Sequence, residues 1–214
     1  MKTLRITLLF TLVALFISNG SWAQSTKKIS KQLNKRAMKS ARKEAKQLGK
    51  EDFYIAPGAL PMDRQIESAW IKQMQNDESG YPLYIVATGN AVAESQTAAK
   101  LQADETAKIT LAGMIETQVA GLIESNIANA QLNTEEATSV TQITGATKSI
   151  IAQEIGRVIP LVEIYKKVGK GIEANVRIAY NSKLAKEAAK NVLRKELKDK
   201  TEIQQKKLEK LMNF

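Results

Sequence analysis

The 214 residues include neither histidine nor cysteine. That removes imidazole bases, thiol nucleophiles, disulfides and His- or Cys-based metal sites together. Carboxylates, hydroxyls, lysine and tyrosine remain. The adjacent pairs Asp104-Glu105 and Glu135-Glu136 diverge by about 100° on a helix, so their carboxyls do not face one another. Glycosidic chemistry needs two carboxyls roughly 5–10 Å apart across a cleft, and no spacing here indicates it. Ser139, Thr141 and Thr144 have no imidazole to activate them. Gly169-Lys170-Gly171 lacks the spacing and following helix of a phosphate loop and reads as a hairpin turn. No catalytic residue, cofactor or metal site is expected, and no enzyme activity.

The chemistry that does stand out is electrostatic. The formal net charge is +10, and it is not spread evenly. Residues 24–50 hold ten Lys or Arg against the single acid Glu44, whereas residues 51–214 hold 20 basic and 21 acidic side chains. Ile29, Leu33, Ala37, Met38, Ala41, Ala45 and Leu48 recur at mostly four-residue steps, which predicts an amphipathic helix with Gly49 as its stop. Its other half carries Lys31, Lys35, Arg36, Lys39, Arg42, Lys43 and Lys46, a candidate patch for an anionic membrane or lipopolysaccharide surface. The alternative is that the Ala-rich stripe packs on the protein's own body and the lysine face is simply solvated. No aromatic interleaving supports nucleic acid as a partner.

At the N-terminus, Lys2 and Arg5 precede the apolar run Leu8 to Ile17, and Ser21-Trp22-Ala23 follows. Ten apolar residues are short for a bilayer span of about 20. The pattern is that of a secretory signal peptide over 1–23, cleaved between Ala23 and Gln24. Export to the periplasm or the outer membrane surface is the expected localisation.

Further elements follow from periodicity. Phe53-Tyr54-Ile55-Ala56 reads as an added edge strand or an apolar tether. Met62 to Met74 reads as a helix with Pro61 in its first turn and Ile66, Trp70 and Met74 on one face. Trp70 is expected as a core anchor. Tyr81 to Ala93 reads as a strand in which Gly89 marks a bulge or a close backbone approach. Gln96 to about Asn126 reads as a long helix with Leu111, Ile115, Val119 and Leu122 inward, and its Gly113 and Gly121 point to close packing. Asn133 and Glu136 predict a capping box on a helix running to about Ile155. Val158 to Val168 and Ile172 to Tyr180 predict a hairpin, with Pro160 at an edge or a bulge. Ser182 is the expected N-cap of a last helix, Lys183 to about Met212, with Leu184, Ala188, Val192 and Leu193 inward.

Together these predict an α+β fold: a small, mainly antiparallel sheet covered by long helices. The expected organisation is a signal peptide (1–23), a basic helical arm (24–50), an α+β domain (51–198) and a charged helical extension (199–214), solvated or partner-seeking. Ala87-Thr88-Gly89-Asn90-Ala91, Ala98-Ala99-Lys100-Leu101-Gln102-Ala103, Ala107-Lys108, Leu111-Ala112-Gly113 and Ile178-Ala179-Tyr180-Asn181 resemble the LPP-twenty lipoprotein family and the related N-terminal domain of a flagellar assembly protein. Ala56 to Pro61 and Gly156 to Pro160 are similar to a group of uncharacterised secreted envelope proteins of gram-negative bacteria. The chain lacks the lipidated Cys of the lipoprotein members. The resemblance implies a non-catalytic envelope module that docks on envelope proteins or on itself.

Overall fold

The computed structural model describes residues 21–214, with side chains described at 32 and from 34 onward. The expected signal peptide lies outside the described residues up to position 20, and Ala23 and Gln24 stand in helical backbone. The element order is α1 (Ser21–Lys50), α2 (Met62–Met74), β1 (Tyr84–Ala93), α3 (Gln96–Ala130), α4 (Thr134–Gly145), α5 (Lys148–Glu154), β2 (Ile159–Val168), β3 (Gly171–Asn181), α6 (Ser182–Lys200) and α7 (Gln205–Leu211). The fold is α+β, as the sequence predicts.

The three strands form one antiparallel sheet in the order β1-β3-β2. β1 pairs with β3 in unbroken register from Tyr84↔Asn181 to Ala93↔Ile172. β2 and β3 form the hairpin through Gly169 and Lys170, Gly169 taking φ +58°, the left-handed region that glycine enters without steric cost. The register slips between Pro160 and Val162, so Pro160 sits both at a bulge and on an edge strand. Tyr54 forms an isolated bridge to Tyr165 on that edge, which is the added-strand reading of Phe53–Ala56.

Strand alternation divides the apolar side chains between two faces. Ile85, Ala87, Ala174, Val176, Ile178, Tyr180 and Tyr165 join the larger core with α3, α5, α6 and α7. Val162, Ile164 and Ala179 on the opposite face join a smaller core with Ala41, Ile66 and Ala69 of α1 and α2. Gly89 is where the larger core is tightest. A Cβ there would collide with the Ala103 carbonyl oxygen and the Ala107 nitrogen and stand 3.0 Å from Ala107 Cα. Ala99, Ala103 and Ala107, each fully buried, let α3 descend that far. The close approach, not a bulge, explains Gly89.

Several expectations are corrected. Pro61 is the N-cap of α2, one position before its first turn. β1 begins at Tyr84, because Asn76 and Pro82 form their own bridge in the preceding turn. In α3 it is Ile123 that is fully inward, with Leu122 only half-buried, and the helix runs on to Ala130. Gly121 has no close neighbour, and Gly113 meets only the flexible stem of Lys148. The helix from Thr134 breaks at Ala146 and Thr147, where the Thr147 hydroxyl donates to the Thr144 carbonyl. A local side-chain bond of this kind competes with the helical ladder. Asn181, not Ser182, caps α6, its Oδ1 accepting from the amides of Lys183 and Leu184. Leu184 is exposed, and Ala185, Ala189, Val192, Leu193 and Leu197 form the inward face, with Ala188 half-buried.

The last helix also breaks, at Thr201–Gln204, and the segment beyond it is not a solvated extension. Leu208, Leu211 and Met212 are buried in the larger core. Asn126 Nδ2 donates to the carbonyls of Leu211 and Asn213, and Lys207 pairs with Glu136 at 2.8 Å. Glu136 also closes the capping box with Asn133. The hydrogen bond from Lys207, then that from the Asn133 amide, holds the Glu136 carboxyl below its ordinary value of 4.5. A depressed carboxylate stabilises the fold above the unfolded value and loses that contribution as pH falls through the folded one. Acidification below pH 4.5 is therefore expected to loosen α7, read as faster amide exchange at Leu208–Met212, with Glu136→Gln abolishing the pH dependence.

Two glycine substitutions check the packing. Gly89→Ala drives a methyl into backbone and is expected to cost about 3 kcal/mol. Gly121→Ala, in open space within a helix, is expected to stabilise by about 0.8 kcal/mol. Denaturant unfolding measures both, and equal effects at the two positions would contradict the contact between β1 and α3.

Candidate functional site

α1 lies on the small-core face of the sheet. It ends with a reversal at Asp52, whose φ is +65°: the Phe53 amide bonds the Leu48 carbonyl and the Asp52 amide bonds the Gly49 carbonyl. This is the two-bond termination that usually places glycine in the left-handed position. Gly49 is thus inside the last turn and is not the stop.

Ala37 and Ala41 are fully buried, and Ala45 and Leu48 are half-buried against α2 and the sheet. At 100° per residue, Lys35, Arg36, Lys39, Arg42, Lys43, Lys46 and Lys50 fall in an arc of about 120° opposite that stripe. All seven are exposed. Of the predicted patch, the structure brings Lys35, Arg36, Lys39, Arg42, Lys43 and Lys46 onto one solvent-facing surface. Lys31 is in the same helix, with its side chain outside those described. Among the described residues none of the six enters an ion pair, so their charge faces outward unopposed.

The acid of this segment is turned the other way. Glu44 pairs through Oε1 with Arg177 of β3 and accepts at Oε2 from the Trp70 indole N–H at 2.8 Å. Arg177 and Glu44 are each about one-quarter exposed, so the pair is partly shielded from screening. Trp70 packs on the small core, as expected, and also ties α2 to α1. The sequence contains every residue of this tie, but nothing local predicts a bond across 133 positions.

A second polar cluster, which sequence reasoning missed, lies between α3 and β2. The Tyr165 hydroxyl donates to Glu163 Oε1 at 2.5 Å, and Lys100 Nζ pairs with Asp104 at 2.6 Å and reaches Glu163 at 3.5 Å. Alternation on β2 puts Glu163 and Tyr165 on one face, but the partner helix face is a tertiary fact. Burial, then the bond to Glu163, raises the Tyr165 hydroxyl well above its ordinary value of 10.0. Bonds to Asp104 and the Glu163 charge outweigh burial and raise Lys100 above 10.5. Both groups are held protonated and link α3 to β2.

The other sequence candidates serve locally. Asp104 is paired with Lys100, whereas Glu105 is exposed. Glu135 is exposed and Glu136 belongs to the cap. The hydroxyls of Thr141 and Thr144 donate to the Ala137 and Val140 carbonyls one turn back. Comparison with family models, with curated proteins and with solved structures returns no match.

Glu44→Ala is expected to release the C-terminal half of α1 by about 2 kcal/mol, since a hydrogen-bonded, partly buried Arg177 loses its counter-charge. Amide exchange should accelerate over Ala37–Leu48 while α3 is unchanged. When Tyr165 is replaced by Phe, tyrosine ionisation followed by ultraviolet absorbance should lose no amplitude within about one pH unit of the ordinary value.

Proposed function

We propose that this chain is an exported cell-envelope protein that works by contact rather than catalysis, docking the cationic face of α1 on a polyanionic surface such as anionic lipid headgroups or lipopolysaccharide. One observation carries the reading: six exposed cations stand on one helix face while the acid of that segment, Glu44, is drawn inward by Arg177 and Trp70. The signal-like N-terminus and the resemblance to LPP-twenty lipoproteins support the location. No described helix is long and apolar enough to cross a membrane.

The mode of contact follows from packing. An interfacial amphipathic helix gains affinity by burying its apolar face in lipid. Here that face is covered by α2 and the sheet. Charge must supply the attraction, at about 1 kcal/mol per Lys or Arg near an anionic surface, so roughly 6 kcal/mol for six. Such a contact is sensitive to salt.

Co-sedimentation of the protein with vesicles tests this. Binding is expected to vesicles containing anionic lipid and not to purely zwitterionic ones, and to vanish near 1 M salt, where the screening length is about 3 Å. The quadruple variant Lys39→Glu, Arg42→Glu, Lys43→Glu, Lys46→Glu should bind at least roughly a hundredfold more weakly. The same variant should keep its folded circular dichroism, since none of the four side chains touches the core. Undiminished binding by that variant, or by the native chain at high salt, refutes the reading.

A further inference from the structure

The two edges of the sheet are built on opposite plans. β2 carries several guards against strand addition: Pro160, the bulge beside it, the charged Glu163, Lys166 and Lys167, and the bridging Tyr54, whose amide and carbonyl bond those of Tyr165 at 2.7 and 2.8 Å. β1 carries none. Tyr84–Ala93 contains no charged residue and no proline, and its ten residues pair with β3 without a slip. Among the described residues the backbone bonds from outside the sheet stop at Leu83, which donates to Gln75 and accepts from Ser182. Among the described residues no backbone group pairs with the outer edge of β1 from Tyr84 to Ala93.

α3 lies directly over β1. Lys100 and Asp104, which reach towards β2, lie to one side of the Ala103–Ala107 line that rests on Gly89. Thr106 and Thr110 lie to the other side, above the open edge, with Met114 one turn on, and all three are exposed. On the opposite face of the strand, Thr88 and Asn90 are exposed. Strip and roof are both uncharged.

We infer that the outer edge of β1 is a docking site for one extended, uncharged segment of another polypeptide, added as a fourth strand beneath α3. Steric arithmetic selects a bare segment over the β1 of a second copy. Paired strands stand about 4.8 Å apart, and packed helices need roughly 8–10 Å between axes. Since α3 rests directly on Gly89, a second copy would bring its own α3 into the first. Charge selects the composition: a Lys, Arg, Asp or Glu placed under Thr106, Thr110 and Met114 would be desolvated with no counter-charge. Main-chain bonds supply the affinity and alternate side chains the selection, as in other strand-addition complexes. This inference is independent of the α1 reading.

The test uses the full chain and an eight-residue peptide of alternating Thr and Val, acetylated and amidated, against its counterpart with Lys for Thr. The Thr-Val peptide is expected to slow amide exchange in β1 and to bind at least tenfold more tightly than the Lys peptide. N-methylation of alternate peptide residues provides the backbone control. One phase should abolish binding and the other retain it, because the two edges of an extended strand differ. The variant Thr110→Lys should weaken binding without altering thermal unfolding. Absence of binding, equal loss in both N-methylated phases, or outer-edge β1 amides already protected in the free chain would each overturn the assignment. So would a dimer in sedimentation analysis whose interface protects β1.

Discussion

The contact between the backbone of Gly89 and the backbone of α3 sets the height of everything on the larger side of the sheet. Helices usually rest on sheets through interdigitated side chains. Here three buried alanines and one missing Cβ bring main chain against main chain. That lowering allows Tyr165 to be enclosed at one end of the interface and lets Lys100 reach Glu163 across it. The bulky Leu111, Ile115, Val119 and Ile123 come afterwards along α3, where it leaves the sheet and receives α5, α7 and the returning chain.

Charge is arranged with similar economy. The basic segment is not a detached arm: its apolar stripe packs on the protein's own body, as one of the two readings of the sequence expects, and its cations face solvent. Its alanines belong to the small core and its acid belongs to β3. What is left over for the outside is a surface of one sign along one helix. A stripe of alanine offers little apolar area at about 25 cal/mol per Å², so specific bonds at Glu44 do much of the fastening.

How far the residues announce this architecture depends on the range of the interactions. Strict periodicity made Met62–Met74, the hairpin and the start of α3 legible, and the capping box at Asn133 and Glu136 was visible because its two bonds span three positions. Gly89 was readable as a close approach or a bulge, and only the arrival of Ala103 and Ala107 decides between them. The breaks at Thr147 and at Thr201–Gln204 were hidden because each interrupts a chain that is still locally helical in composition. Leu184 misled for a related reason: moving the cap from Ser182 to Asn181 fits a different face, led by Ala185. For the candidate site, the cationic half-wheel was plain from spacing, whereas the inward turn of Glu44 rests on Arg177 and Trp70 from two other elements.

The sheet lies between the two cores, and they are unequal. The larger is stocked with Ile, Leu and Val from five helices and the sheet; the buried members of the smaller are Ala41, Ile66 and Ala69 from α1 and α2 and Leu161, Val162, Ile164 and Ala179 from the sheet. A protein layered in this way opens in a hierarchy, because the free energy of each sub-global unfolding follows the apolar surface it exposes. By that rule the layer bearing α1 and α2 is expected to part before the sheet and its roof. A pull or a clamp applied to α1 would therefore act on the thinner of two seams, ahead of the rest.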